Sequence, residues 1–147
     1  MTPIIRPATE GDSDKIAAIL SAFIDETSWM PRVHTLEEDR NFGAFLIEKT
    51  DVHVAVVRDV VGFIACRETA VDALYVHADF RRQGIGSCLL NAAKSEMSSL
   101  DLWTFQANAA ARAFYSVHGF TEGEMTNGDR NDEGLPDVFM TWDRKAT

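Results

Sequence analysis

The chain has 147 residues, 46% of them apolar, which suits one domain with a substantial core and leaves no room for a second of ordinary size. Its 14 basic and 23 acidic residues give a formal net charge of −9, which opposes nonspecific binding to nucleic acid because a phosphate backbone would be repelled. The first residues lack a long apolar h-region, and the best later run, Ile16 to Ile24, is too short to span a bilayer, so a cytoplasmic protein with no membrane partner is expected.

Ile4 and Ile5 before Pro7 predict a short first strand, and Gly11-Asp12-Ser13-Asp14 offers capping side chains ahead of a helix carrying Ile16, Ile19, Leu20 and Phe23. Glu26 to His34 is aromatic, proline-broken and without period, hence a loop. Thr35-x-x-Glu38 is a capping box that starts a second helix with Phe42, Phe45 and Leu46 as its apolar positions. Val52, Val54 and Val56 alternate, and Val60 to Cys66 follows through Arg58-Asp59, which predicts an antiparallel hairpin. A strand from about Ala70 continues that meander.

The next stretch is the most informative. Val71 to Val76 is an apolar strand, a polar turn with Gly84 and Gly86 follows, and Ile85, Leu89, Ala92, Ala93, Met97 and Leu100 then recur at helical spacing, which predicts a helix starting at Gly86. Glycines allow a tight turn and a close approach of backbone to ligand, and the first helical N–H groups have no intrahelical acceptor, so the turn is a cradle for an anion. Arg81 and Arg82 add positive charge beside it. A dinucleotide fingerprint would need a third small residue where Leu89 stands, and a Walker loop would need Lys and then Ser or Thr where Ser87 and Cys88 stand, so both are excluded. Leu100 to Phe105 reads as a further strand, Ala109 to His118 as a short helix capped by Asn108 and ended by Gly119, Phe120 as the start of another strand, and Val138 to Trp142 as the last. Glu122 to Asp137 is a long turn-rich stretch with six acids and one arginine. The order is read as βααββββαβαββ, a mixed α+β sheet with helices on its faces. Cys66 and Cys88 have no metal or redox spacing, so no metal is expected.

Arg81-x-x-Gly84-x-Gly86 after Leu74-Tyr75-Val76 resembles the pyrophosphate loop of the Gcn5-related N-acetyltransferase (GNAT) superfamily, and Asn108-x-x-Ala111-x-x-Phe114-Tyr115-x-x-x-Gly119-Phe120 resembles its second signature. The resemblance covers most of the chain and is closest from about Val71 to Phe120. It implies an α+β fold with a mostly antiparallel central sheet, splayed middle strands and helices on both faces, formed by residues 1–147 as a single N-acetyltransferase domain. It also implies acetyl-CoA as cosubstrate. The pyrophosphate would lie on backbone amides of the loop Arg81, Arg82, Gln83, Gly84, Ile85, Gly86 and Ser87, while backbone near Tyr75 and Val76 and the start of the helix at Asn108 would face the pantetheine arm. Tyr115 matches the family tyrosine that protonates the departing sulfur.

Glu68 and Asp72 share one face if their strand is regular, and carboxylates near here serve as bases in several relatives; each could equally be a solvated strand residue, and a bulge would spoil the parity. His77 has a suitable intrinsic pKa but matches a surface position in many relatives, and His34, His53 and His118 have weaker claims. The acceptor should meet two irregular segments, Trp29 to His34 and the acidic loop with Asp129, Asp132, Glu133 and Asp137. The acids suit a cationic small-molecule or peptide amine, whereas Arg32 suits a carboxylate. Trp29 and Trp103 are candidate apolar walls, with core packing the plainer role for Trp103. A CoA-binding module without transfer and an enzyme for longer acyl groups stand as alternatives. Homodimers are common in the family, often through the late strands.

Overall fold

A computed structural model describes residues 2–146. Its elements in chain order are β1 (Ile4–Pro7), α1 (Ser13–Glu26), α2 (Leu36–Lys49), β2 (Asp51–Val57), β3 (Asp59–Arg67), β4 (Ala70–Val76), α3 (Ile85–Glu96), β5 (Ser99–Phe105), α4 (Ala109–Val117), β6 (Thr121–Met125) and β7 (Asp137–Asp143). They build one seven-stranded sheet in the order β1-β2-β3-β4-β5-β7-β6. Three strands rather than four separate α2 from α3, because the run from Asp51 to Val76 turns only at Arg58 and at Glu68, both with positive φ.

Alternation along the strands feeds two cores, one on each face of the sheet. Val54, Phe63 and Ala65 pack with Ile16, Ile19 and Leu46 of α1 and α2. Ile64, Val71, Leu100, Leu102 and Met140 pack with Leu89 and Leu90 of α3, and Tyr115 of α4 joins them. Leu100 is therefore a strand residue, not the end of the helical stripe.

Side-chain pairing decides the buried stripe of α2. Phe42 and Phe45, expected inside, are 40% and 51% exposed. The buried positions are Asp39, Gly43 and Leu46, four and then three residues apart. Asp39 goes inside because Arg32 meets it at 2.8 Å, and Gly43 because a Cβ there would lie 2.9 Å from the Ser13 carbonyl oxygen.

The sheet is antiparallel except at β4–β5. That pair is parallel and has one register position, Ala70 opposite Asp101. Beyond it the strands diverge toward Val76 and Phe105, leaving a V-shaped opening between them. On the other side of β5, β7 is paired from Ser99–Asp143 to Phe105–Asp137. The last strand is thus interior, and β6 and β1 are the sheet edges.

Candidate active site

At the open end of the V, the chain leaves β4 and enters α3 through a loop with two left-handed residues, Arg82 (φ 64°) and Gly84 (φ 82°). Such a φ strains any residue except glycine by about 1–3 kcal/mol, so its presence at Arg82 marks a loop held in shape by its surroundings. Helix α3 begins at Ile85 with Gly84 as N-cap, one residue before the expected start. Cys88 N–H donates to Gly84 C=O at 3.0 Å, the first bond of the helical ladder, so the N–H groups of Ile85, Gly86 and Ser87 have no intrahelical acceptor. A helix start of this kind suits the phosphates of a nucleotide.

The arginines divide. Arg81 Nε donates to Val76 C=O at 2.9 Å, and its Nη2 meets Glu26 at 2.5 Å, so this side chain ties α1 to the loop. Arg82 is exposed and makes no ion pair among the described residues. Gln83 Nε2 donates to Asp79 C=O at 3.2 Å. The side chain of Ser87 lies 3.0 Å from His118 Nε2, and the His118 ring rests on Phe114, which in turn closes on Gly86. Burial, followed by the charge of Lys94, lowers the pKa of His118. Nothing in the sequence ties His118 to this loop, because the two are 31 residues apart and only packing of α4 against α3 joins them.

Backbone direction along β4 follows from two contacts. The Tyr75 carbonyl oxygen is 3.1 Å from where a Gly62 Cβ would stand, so it faces β3, whereas the Val76 carbonyl is taken by Arg81 outside that ladder. Successive residues alternate, so Leu74 and Val76 turn their N–H and C=O toward the opening and Tyr75 does not. This moves the expected backbone position from Tyr75 to Leu74. Tyr75 contributes a phenol instead, on the α1 side of the sheet, against Phe23 and Phe63. Desolvation, with the charge of Glu133 adding to it, pushes that phenol up to about 12.

Asn108 Oδ1 accepts the Ala111 N–H at 3.0 Å and caps α4, while its Nδ2 has no partner among the described residues. Tyr115 is 7% exposed, between Phe114 and Phe120 on the α3 side. Burial pushes its pKa well above that of a free phenol, and the charge of Tyr75 pushes in the same direction. The Tyr115 hydroxyl has no hydrogen-bond partner among the described residues, whereas its carbonyl accepts from the N–H groups of His118 and Phe120 at 3.1 and 2.9 Å.

Glu68 and Asp72 do not share a strand face. Ala65 pairs with Ala73 and Cys66 with Val71, so Asp72 is the extra residue of a bulge, while Glu68 sits in the turn with φ 55°. Asp72 is bonded to Arg67 Nε at 3.1 Å, and Glu68 lies with Cys66, Ala93 and Met97 at the closed end of the V. Val76 lies four residue steps along the strand from Asp72, roughly 13 Å.

The two irregular segments do meet. His34 Nε2 is 3.5 Å from Asp132, joining the α1–α2 loop to the β6–β7 loop. Arg32 is clamped by Asp25, Asp39 and Ser21, which leaves no free fork for a substrate carboxylate. Asp137 is buried and accepts from Thr126 Oγ1 and Asn131 Nδ2, so it shapes its loop. Phe23, Trp29 and Phe105 form an aromatic chain with ring centroids 6.5 and 5.8 Å apart, and Trp103, expected in the core, is 45% exposed against Phe139. Phe23 and Phe105 carried no sequence signal for a site, since each falls on an ordinary apolar position of a helix or strand. No group of three or more candidate metal ligands occurs among the described residues, and no helix there is long and apolar enough to cross a membrane.

The profile of the Acetyltransferase (GNAT) domain matches residues 48–122, from the end of α2 to β6. An uncharacterized N-acetyltransferase of Methanocaldococcus jannaschii is 36% identical over 84 residues, 46% of this chain and 37% of its own length. The uncharacterized N-acetyltransferase YafP of Escherichia coli is 30% identical over 100 residues, 67% of this chain and 55% of its own, so the chain spans well under two thirds of either relative. The peptidyl-lysine N-acetyltransferase YjaB of Salmonella typhimurium is 29% identical over 119 residues, 79% of this chain and 81% of its own. Among solved structures, apo YjaB from Escherichia coli superposes with a TM-score of 0.81 at 23% identity, covering 97% of this chain and 98% of that one. YncA of Salmonella typhimurium, a putative acetyltransferase solved with acetyl-CoA, gives 0.73 at 20% identity, covering 98% and 95%. With the domain profile lying across the splayed strands, the glycine loop and the Asn108–Phe120 signature, this chain belongs to the GNAT acetyltransferase family.

Proposed function

We propose that the protein transfers the acetyl group of acetyl-CoA to a primary amine by direct attack. The observation that carries this reading is the single-pair β4–β5 contact, which leaves the backbone of Leu74 and Val76 turned into an opening with the α3 N-terminus at its mouth. The N–H groups of Ile85, Gly86 and Ser87, with Arg82 beside them, take the pyrophosphate. Leu74, Val76 and the free Nδ2 of Asn108 bond the pantetheine arm as a neighbouring strand would. Acetyl-CoA, when bound, supplies an electrophilic acyl carbon and a thiolate leaving group.

Residues of this chain then handle protons and position. The acceptor ammonium loses one proton to water, its nitrogen bonds to the acyl carbon and releases a second proton to water, the carbon–sulfur bond breaks, and Tyr115 gives its phenolic proton to the sulfur. Water returns a proton to Tyr115, so charge and atoms balance. Burial keeps that proton on Tyr115 at neutral and mildly alkaline pH, as an acid requires. Asp72 is held by Arg67 and Glu68 sits in the β3–β4 turn at the closed end of the V, which supports deprotonation by water rather than by either carboxylate. Cys66 does not compete as a nucleophile, because burial pushes its thiol up to about 12.

The test is Tyr115→Phe, read by free-thiol release over pH 7–10 and by calorimetry with CoA. We expect kcat to fall about 10²- to 10⁴-fold with CoA affinity kept, and wild-type kcat/KM to rise with pH as the amine deprotonates, with no alkaline fall in that range. Wild-type rates in the variant would remove Tyr115 as the acid. Tight CoA binding with no transfer to any amine would instead identify a cofactor-binding module.

A further inference from the structure

The aromatic chain on the α1 side of the sheet has no part in gripping a cofactor, yet it borders the opening from which an acceptor must come. Phe23 lies 5.0 Å from the Tyr75 ring and 6.5 Å from Trp29, and Trp29 stands edge-on to Phe105 at 5.8 Å. Four elements contribute: α1, the loop after it, β4 and β5. Phe105 and Trp103 are two residues apart on β5 and so share a face, which extends the apolar surface to the half-exposed indole of Trp103.

The charge around this surface is negative and unevenly used. Glu26 is occupied by Arg81 and Asp132 by His34. Glu133 is partly buried, next to Asp132 in the loop that His34 meets from the α1–α2 segment, and makes no ion pair among the described residues. A carboxylate without a counter-ion, on a loop that meets the segment carrying Trp29, is a setting for an ammonium group attached to a flat apolar body. With Arg32 clamped, the segment from Glu26 to His34 offers no free guanidinium for a substrate carboxylate.

Resting on the transferase reading above, we infer that the acceptor is a monoamine carried on an aromatic or aryl-alkyl body. Its ammonium meets Glu133 on entry, and its ring lies against Trp29 and Phe105. A peptide would meet apolar walls where its backbone needs hydrogen-bond partners.

The experiment compares phenethylamine, tryptamine, spermidine and a lysine-containing peptide with the full chain and saturating acetyl-CoA, by thiol release, together with calorimetry of phenethylamine on the protein–CoA complex. The arylalkylamines should lead in kcat/KM by 10-fold or more. Trp29→Ala and Glu133→Gln should each raise their KM at least 5-fold with CoA affinity unchanged, Trp29→Phe should restore most of the loss, and phenethylamine binding should weaken in parallel. Faster turnover of spermidine or the peptide overturns the inference and leaves the transferase reading standing, as does a Trp29→Ala protein with unaltered KM. Thiol release from no amine overturns both.

Discussion

Along β5, the edge facing β7 is paired from Ser99 to Phe105, whereas the edge facing β4 is paired at Asp101 alone. One strand therefore has a closed side, where hydrogen bonds and the side chains of Val138 and Met140 complete a core, and an open side, where backbone polar groups are left for something else. Unpaired backbone is costly and prone to wrong partners. Inside the sheet this is limited to one short opening, flanked by Tyr115 on one face and Tyr75 on the other. Stability resides on the closed side, and the binding we propose on the open one.

Substitutions can break that division if it is wrong. The largest expected loss of stability is on the closed side: Met140→Ala, at a fully buried position, should lower unfolding free energy by about 2–5 kcal/mol in urea melts while leaving the acetyl-CoA KM within about twofold. A large change in KM there would mean that the two sides are coupled. On the open side, Gly84→Val places a β-branched residue at φ 82°, with free space around it, so strain alone acts. CoA affinity should drop about 10-fold or more in calorimetry, with at most about 1–3 kcal/mol lost from the fold.

A smaller effect sharpens the picture at the far edge. Arg112 donates to both carboxylate oxygens of Glu122, at 2.7 and 2.8 Å, and so ties α4 to β6. That hydrogen bonding holds the Glu122 pKa below its usual value, so the stabilisation is complete above the ordinary carboxylate range and fades as the pH falls below about 4.5. Between pH 7 and pH 3.5 the Tm of Glu122→Gln should therefore drop by less than that of the wild type, because one acid-sensitive contact is already gone. Equal drops would show that the pair contributes nothing measurable.

Local features were legible in the sequence where the physics is local. The capping box at Thr35 and Glu38, the Asn108 cap, the Arg58-Asp59 hairpin turn and the glycine-hinged start of α3 each depend on residues within one turn of one another, and all stand in the structure. Parity arguments failed where a single extra residue intervened. The bulge at Asp72 removes the shared face with Glu68, and the ladder to β3 exchanges Tyr75 for Leu74 at the opening. The α2 stripe misled for another reason: a buried Asp39 and a close approach at Gly43 outrank Phe42 and Phe45, since a charge with a partner and a contact without a side chain are both invisible to apolar periodicity.

By itself the sequence determined the strand–glycine loop–helix unit and the helix that bears Tyr115, because both are written in contiguous residues whose conformations follow from missing side chains, caps and apolar spacing. Tertiary structure alone decided that β5 would close on β7 and part from β4, that Arg81 would bind Glu26, and that Phe23, Trp29, Tyr75 and Phe105 would gather at one opening. Those facts depend on which distant segments pack together, and that packing is set by burial summed over the whole sheet, not by any short run of residues.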